Sequence, residues 1–311
     1  MSLDPTTHLI VPFAQCSGDD WLQAMSSIEL KNLGYLLRGM KLANKDSGQA
    51  DSLSPPHERV LAKASGLTSE ADGLIPWAAH EAKAEPNKGW AFITPCHWAM
   101  GREHATLTDP ATLDMTEAES RTLLAAMQPY FATEGITLHY AAPTRWLAEG
   151  NVFRSLPTAS LDRVMGRNVD RWLPASKAIK LLQNEMQMLL YTHSVNDERA
   201  AKGQRSSNSF WVSGSGALSE SATASPHVNV NRGLAQAAFR DDWAAYSAVW
   251  AQVDATVIAP LLAQQNSGQI VRLSLCGESS AMTFETTQHG LLTKIRNALS
   301  PQPVINVLKQ L

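Results

Sequence analysis

The chain reads as an α/β protein, and three observations carry that reading. An uninterrupted apolar run at 8–13, HLIVPF, closes at the turn-like QCSGDD and gives way to a helical pattern over 30–40, LKNLGYLLRGM. Strand-like and helix-like segments then alternate from 72 to 216. Towards the end, a helix pattern over 241–262 leads into QIVRLSLCG at 269–277, an apolar run suited to a parallel strand. Such alternation builds a sheet covered by helices.

After the first strand and helix, 44–54 is polar and turn-rich and reads as a loop. Ser54-Pro55-Pro56 opens a helix reaching Gly66, with Ser54 as cap and Pro55 in the first turn. His57, Glu58 and Arg59 gather at its start, either as an exposed capping cluster or as an anion site made by Arg59 and free backbone N–H groups. A helix over 72–84 packs Trp77, and the Trp, Phe, Ile and Thr content of 89–96 makes it a strand. The stretch 116–130 is a helix with Glu117 and Glu119 in its first turn, and strands follow at 136–140 and at Arg145-Trp146. Rich in Ser, Ala and Asn, 219–232 reads as an exposed loop. In the helix over 241–262, Trp243, Tyr246, Trp250, Val253 and Val257 form a stripe at helical spacing, the mark of a core-facing side.

At 311 residues, with 44% hydrophobic and 18% charged side chains, the chain can bury one large α/β domain or two smaller ones. A net charge of -3 lacks the basic excess that nucleic-acid binding draws on, and no apolar run is long enough to cross a bilayer, so neither nucleic acid nor membrane is an expected partner. The first residues carry no basic leader or export-like apolar run, and a cytoplasmic protein is expected. Cys16, Cys96 and Cys276 are widely separated, which argues against a disulfide framework, supplies no CxxC pair for zinc and suits buried apolar roles.

The stretch 181–216 is the most informative. Leu182, Met186, Leu189 and Leu190 make one apolar helix face, and after His193 the chain turns, with Asn196 placed to cap a short helix ending at Gly203. Residues 209–213 read as a central strand, and Gly214-Ser215-Gly216 as a sharp exit from a parallel strand, either a plain turn or a phosphate cradle. Upstream, Arg163, Arg167 and Arg171 could neutralise a phosphate or carboxylate, or form a solvated face with Asp162 and Asp170. His97, His104 and Asp109 are a chemically adequate metal set, but no HxH or HExxH spacing places them on one face, and they read equally as surface groups.

His193-x-Val195-Asn196-x-x-Arg199-x-x-x-Gly203, followed by Asn208 and Gly214-x-Gly216, resembles the H-P-V-N-x-x-R-x-x-G-x-x-x-A-N and R-G-x-G run of archaeal-type cofactor-independent phosphoglycerate mutases, members of the alkaline phosphatase superfamily. The segments SLSPPHERVLAKASGL, ADGLIPWAAHEA, GWAFITPCHW, LPTASLDRVMGRNVDRWLP and NSFWVSGSG extend the resemblance to a bacterial family of RpfE-type regulatory proteins, some of whose members carry the label phosphoglycerate mutase. The resemblance implies an alkaline-phosphatase-like three-layer sheet core from 1–84 and 203–311, with 85–202 as an inserted α+β lobe. It also implies an anion site drawn from Arg163, Arg167, Arg171, His193, Asn196, Arg199, Asn208, Gly214 and Gly216.

The same comparison marks departures. In the superfamily the first strand typically ends in a metal-holding aspartate, where this chain has Pro12-Phe13-Ala14, and Asp19 and Asp20 arrive later. The superfamily's T-x-D-H-S-T is matched by Leu275-Cys276-Gly277-Glu278-Ser279-Ser280. A two-metal phosphoryl-transfer site needs several converging carboxylates and imidazoles. The resemblance therefore implies a catalytically degenerate protein with a regulatory or binding role and no cofactor, its partner a phosphorylated or acidic small molecule or another protein. The alternative is an active phosphoglycerate mutase or phosphoesterase, with Mn or Zn held by a set rearranged around His97, His104, Asp109, Glu278 and His289, and Ser213 or Ser215 as the hydroxyl.

Overall fold

A first strand, β1 (Thr7–Val11), leads to helices α1 (Asp19–Ser26) and α2 (Lys31–Arg38), strand β2 (Met40–Ser47) and helix α3 (Pro56–Ala64). Next come α4 (Trp77–Glu81), β3 (Trp90–Cys96), the hairpin of β4 (Trp98–Met100) and β5 (Ala105–Leu107), α5 (Glu117–Thr133), β6 (Thr137–Ala142) and β7 (Arg145–Glu149). Then follow α6 (Leu161–Val164), α7 (Lys177–Tyr191), α8 (Ser194–Ala201) and β8 (Ser209–Gly216). The remainder is β9 (Val228–Val230), α9 (Ala235–Ala238), α10 (Trp243–Val253), a π turn (Asp254–Ile258), α11 (Ala259–Asn266), β10 (Val271–Cys276), β11 (Ser280–Thr286) and a last short helix, Val304–Leu308. The structure, a computed structural model, describes residues 7–67, 69, 71–219, 228–287 and 303–311. His289 and residues 220–227 of the expected loop lie outside them.

The chain forms two compact units: Met1–Asp51, Pro55–Ser65 and Ala224–Leu311 make the first, Ser52–Ser54 and Gly66–Thr223 the second. Residues 66–84 and 203–223, read from the sequence as core, thus belong to the second unit.

The first unit is an α/β layer structure on a mixed sheet of order β2-β11-β10-β1-β9. Strand β1 runs parallel to β10 and β9, while β11 pairs antiparallel with both β10 and β2. Period-2 alternation splits each strand between two faces. Leu9, Val11, Leu273 and Leu275 pack against Trp21, Leu33, Leu36, Tyr246 and Trp250 of α1, α2 and α10. On the other face Ile10, Cys276 and Ala281 meet Val60 of α3. The aromatic stripe of α10 faces this core as its spacing predicts, with Tyr246 and Trp250 fully buried. Residues 44–47, expected in a loop, instead continue β2, an edge strand whose exposed Lys41 and Lys45 keep it from pairing further.

The second unit holds an antiparallel sheet of order β6-β7-β3-β8. Its inner face, with Ala91, Ile93, Trp146, Ala148, Phe210 and Val212, packs on Leu123, Met127 and Phe131 of α5 and Leu182 and Met186 of α7. Helix α5 begins in a reciprocal capping box between Thr116 and Glu119. The helix expected over 72–84 is only Trp77–Glu81, because Pro76 stands at its cap. Ser54 does not cap α3, whose N-cap is Pro55; its Oγ accepts instead from Gly73 N–H at 3.0 Å. Among the described residues no helix is long and apolar enough to cross a membrane.

Candidate functional site

Open α/β sheets place ligands at the carboxyl ends of their parallel strands. In the first unit that point lies just beyond β1 and β10. Phe13 follows β1 with φ of 57°, a left-handed conformation that costs a residue with a side chain about 1–2 kcal/mol. Its carbonyl is held by the Tyr246 hydroxyl, which donates to it at 2.6 Å and accepts from Trp21 Nε1 at 3.2 Å and Trp250 Nε1 at 3.1 Å. Burial pushes the Tyr246 phenol well above its ordinary range, so it remains a donor. The Phe13 ring packs on Phe239 and His57, with centroids 4.8 and 5.5 Å away.

Around β10 the end is closed by backbone: Ala14 N–H donates to Cys276 O, and Gly277 N–H to Ser280 O, each at 2.8 Å. Glu278 accepts from Ser17 Oγ at 2.6 Å, while Asp19 and Asp20 are exposed in the first turn of α1. The ligand atoms of these three acids do not gather within 4.8 Å of one another. Phe13 and Gly277 offer no side-chain ligand where a two-metal centre would need carboxylate and imidazole, so these side chains do not fit that pair of ions. His57 is buried rather than part of an exposed cap, and Arg59 is ion-paired with Asp46 at 2.7 Å and donates to Ser279 O. Burial pushes the Cys276 thiol upwards, as expected of an inert core cysteine.

In the second unit the stretch around β8 is knitted to itself. His193, not Asn196, caps α8, its Nδ1 accepting from Val195 N–H at 3.2 Å. Asn196 lies inside the helix, its amide donating to Leu190 O and Ser207 O at 2.8 Å and accepting from Ser207 N–H at 3.0 Å. Arg199 is fully buried: Nη1 bonds Glu119 Oε2 at 2.9 Å, Nε bonds Arg205 O at 2.8 Å and Nη2 bonds Leu113 O. Asn208 pairs with the backbone of Trp98, Oδ1 accepting at 2.7 Å and Nδ2 donating at 3.0 Å. Strand β8 is an edge of the antiparallel sheet and not a central parallel strand, since among the described residues its partner is β3 alone. Its glycines admit neighbours from the chain itself. A side-chain carbon at Gly214 (φ +59°) would stand 2.7 Å from the Phe92 ring, and one at Gly216 3.0 Å from Pro76. Ser215, a hydroxyl candidate, is buried against Thr158 Oγ1 at 2.8 Å and Leu156 O, with no base beside it.

The arginine trio divides. Arg163 is buried and bonds Ser52 Oγ at 2.8 Å, whereas Arg167 and Arg171 are exposed. The metal candidates of this unit separate as well. His97 is half-buried with Nδ1 at 2.9 Å from Ser206 O, His104 is exposed beyond β4, and Asp109 caps a 3-10 turn by accepting from Ala111 N–H. Burial lowers the His97 pKa, and Arg205 adds to the effect against the Ser206 hydrogen bond. The ligand atoms of His97, His104 and Asp109 do not come within 4.8 Å of one another. What the sequence reading missed is Tyr246, whose phenolic oxygen organises the first strand's end; an aromatic in a core stripe carries no outward sign of that duty.

No family model and no curated protein matches the chain. Similar solved structures include the following two. The cofactor-independent phosphoglycerate mutase from Thermoplasma acidophilum DSM 1728 has 12% identity and a TM-score of 0.36, over 98% of this chain and 100% of that one. The PH0037 protein from Pyrococcus horikoshii has 9% identity and a TM-score of 0.44, over 91% of this chain and 87% of that one.

Proposed function

We propose that the chain is a phosphoglycerate-mutase-like protein of RpfE type that binds without turnover, recognising a phosphorylated or acidic small molecule in a regulatory role. One observation carries the reading: Phe13 and Gly277 stand at the two strand ends where metal-holding groups would be required. Exposed Arg167 and Arg171 supply positive charge for such an anion. The test is elemental analysis of protein purified without a metal-binding tag, before and after incubation with manganese and zinc. The reading expects no tightly held pair of ions. Two equivalents surviving gel filtration would overturn it in favour of a phosphoesterase with rearranged ligands.

A further inference from the structure

The crevice beyond β1 and β10 is filled from within. A side-chain carbon on Gly277 would stand 2.7 Å from Gln15 Oε1, 2.9 Å from Leu311 Cβ and 3.1 Å from the Leu311 carbonyl oxygen. Ser280 Oγ donates to that same carbonyl at 2.5 Å, and Lys45 Nζ donates to Gln310 O at 3.1 Å. Behind these two residues the helix Val304–Leu308 lays Val307 and Leu308 into the core that also takes Leu311. Leu311 thus sits where an open α/β sheet takes its ligand, with a backbone oxygen accepting a hydrogen bond that a ligand could accept.

The geometry points to residues 303–311 as an intramolecular strap that occupies the strand-end crevice, so that the crevice opens only when Leu311 withdraws. A helix of 5 residues has no stability of its own, and its position depends on what it docks against. Among the described residues the docking consists of three buried apolar side chains, Val307, Leu308 and Leu311, the partly buried Val304 and Ile305, and two side-chain hydrogen bonds, from Ser280 and Lys45. Strands β1 and β10 are instead paired along their length inside the sheet. An attachment of the first kind opens locally while the sheet beneath stays closed. The inference holds for a binding protein and for an enzyme alike, because either would need the same crevice.

Hydrogen exchange by mass spectrometry on the full chain tests it. Amides of 303–311, including Leu311 N–H, which bonds Leu308 O, should exchange faster than those of β1 and β10. Ser280→Ala removes one tether and should speed exchange of 303–311 about fivefold while β1 and β10 keep their rates. Lys45→Ala removes the other tether from an exposed position that leaves the core untouched, and should act in the same direction. Exchange of 303–311 in step with β1 and β10, or no response to either variant, would overturn the strap.

Discussion

Arg199 and Glu119 form the innermost ion pair described in the second unit, Nη1 to Oε2 at 2.9 Å, with the arginine side chain wholly buried and the glutamate side chain 15% exposed. Burial opposes ionisation of Glu119, but hydrogen bonds from Thr116 and Arg199 outweigh it and hold the carboxyl below its ordinary range. The pair ties the first turn of α5 to α8.

Removing Glu119 leaves the buried Arg199 charge without its counterpart, and removing Arg199 takes the donor from Glu119, Arg205 O and Leu113 O at once. Arg199→Met and Glu119→Gln should each destabilise by about 3 kcal/mol, read from the midpoint of urea unfolding. The double variant should lose less than the sum of the two. Strict additivity would show that the pair is not coupled.

His8 lies within β1, with Nε2 at 2.8 Å from Ser274 Oγ, which in turn lies 2.7 Å from Thr283 Oγ1. Burial, aided by Arg272, pulls its pKa down to about 4. The unfolded chain therefore takes up this proton before the folded one does. Stability from His8 is complete above about pH 6.5 and is lost as pH falls towards about 4, on the order of 2–3 kcal/mol in all. His8→Gln should flatten this part of the stability profile; an unchanged slope between pH 7 and pH 5 would refute it.

At Gly214, alanine meets both a left-handed φ and the Phe92 ring. Gly214→Ala should cost about 1–3 kcal/mol and lower the melting temperature without any ligand present. A variant that keeps its stability would reopen the case for a glycine pair kept for a ligand.

Tyr246→Phe deletes one hydroxyl and leaves Trp21 Nε1, Trp250 Nε1 and the Phe13 carbonyl without it. The loss should be about 2–4 kcal/mol, more than an ordinary single hydrogen bond, since several buried groups lose a partner at once. A loss below about 1 kcal/mol would mean the hub is replaceable.

Arg167→Glu should weaken binding of any anionic ligand, with inorganic phosphate as the first probe, and change the unfolding free energy by no more than about 0.5 kcal/mol because the residue is exposed. Unchanged phosphate binding would remove Arg167 from the anion site.

The strands at 8–11, 90–96 and 271–276 and the helices beginning at 117, 177 and 243 were legible in the sequence, because each carries a long apolar pattern with a clear period. Strand β2 was not legible. MKLANKDS has no buried stripe and becomes a strand only through pairing with β11. The direction and sheet of β8 were also hidden, since SFWVSGSG is buried on both faces and shows no period-2 alternation of the kind that marks a half-solvated antiparallel strand. The motif residues Asn196, Arg199 and Asn208 were legible as special but not as internal braces. A polar side chain that bonds backbone across the fold has the same sequence signature as one that faces a ligand. The departures at Phe13 and Gly277 were visible at once, because neither residue has a side chain that can offer a carboxylate or imidazole to a metal wherever it lies.

The position of β1 has a consequence for synthesis. It is flanked by β9 and β10, so neither neighbour exists until more than 200 residues after it have been made. Helix α2 waits as long: no side chain of its own caps it, and the N–H groups of Asn32 and Leu33 are taken by the Asp254 carboxylate. The second unit, by contrast, draws on 66–223 and a three-residue piece just before it. On a ribosome it can complete itself while the opening segment is still waiting for its partners, and the apolar HLIVPF must be kept from aggregating throughout that interval.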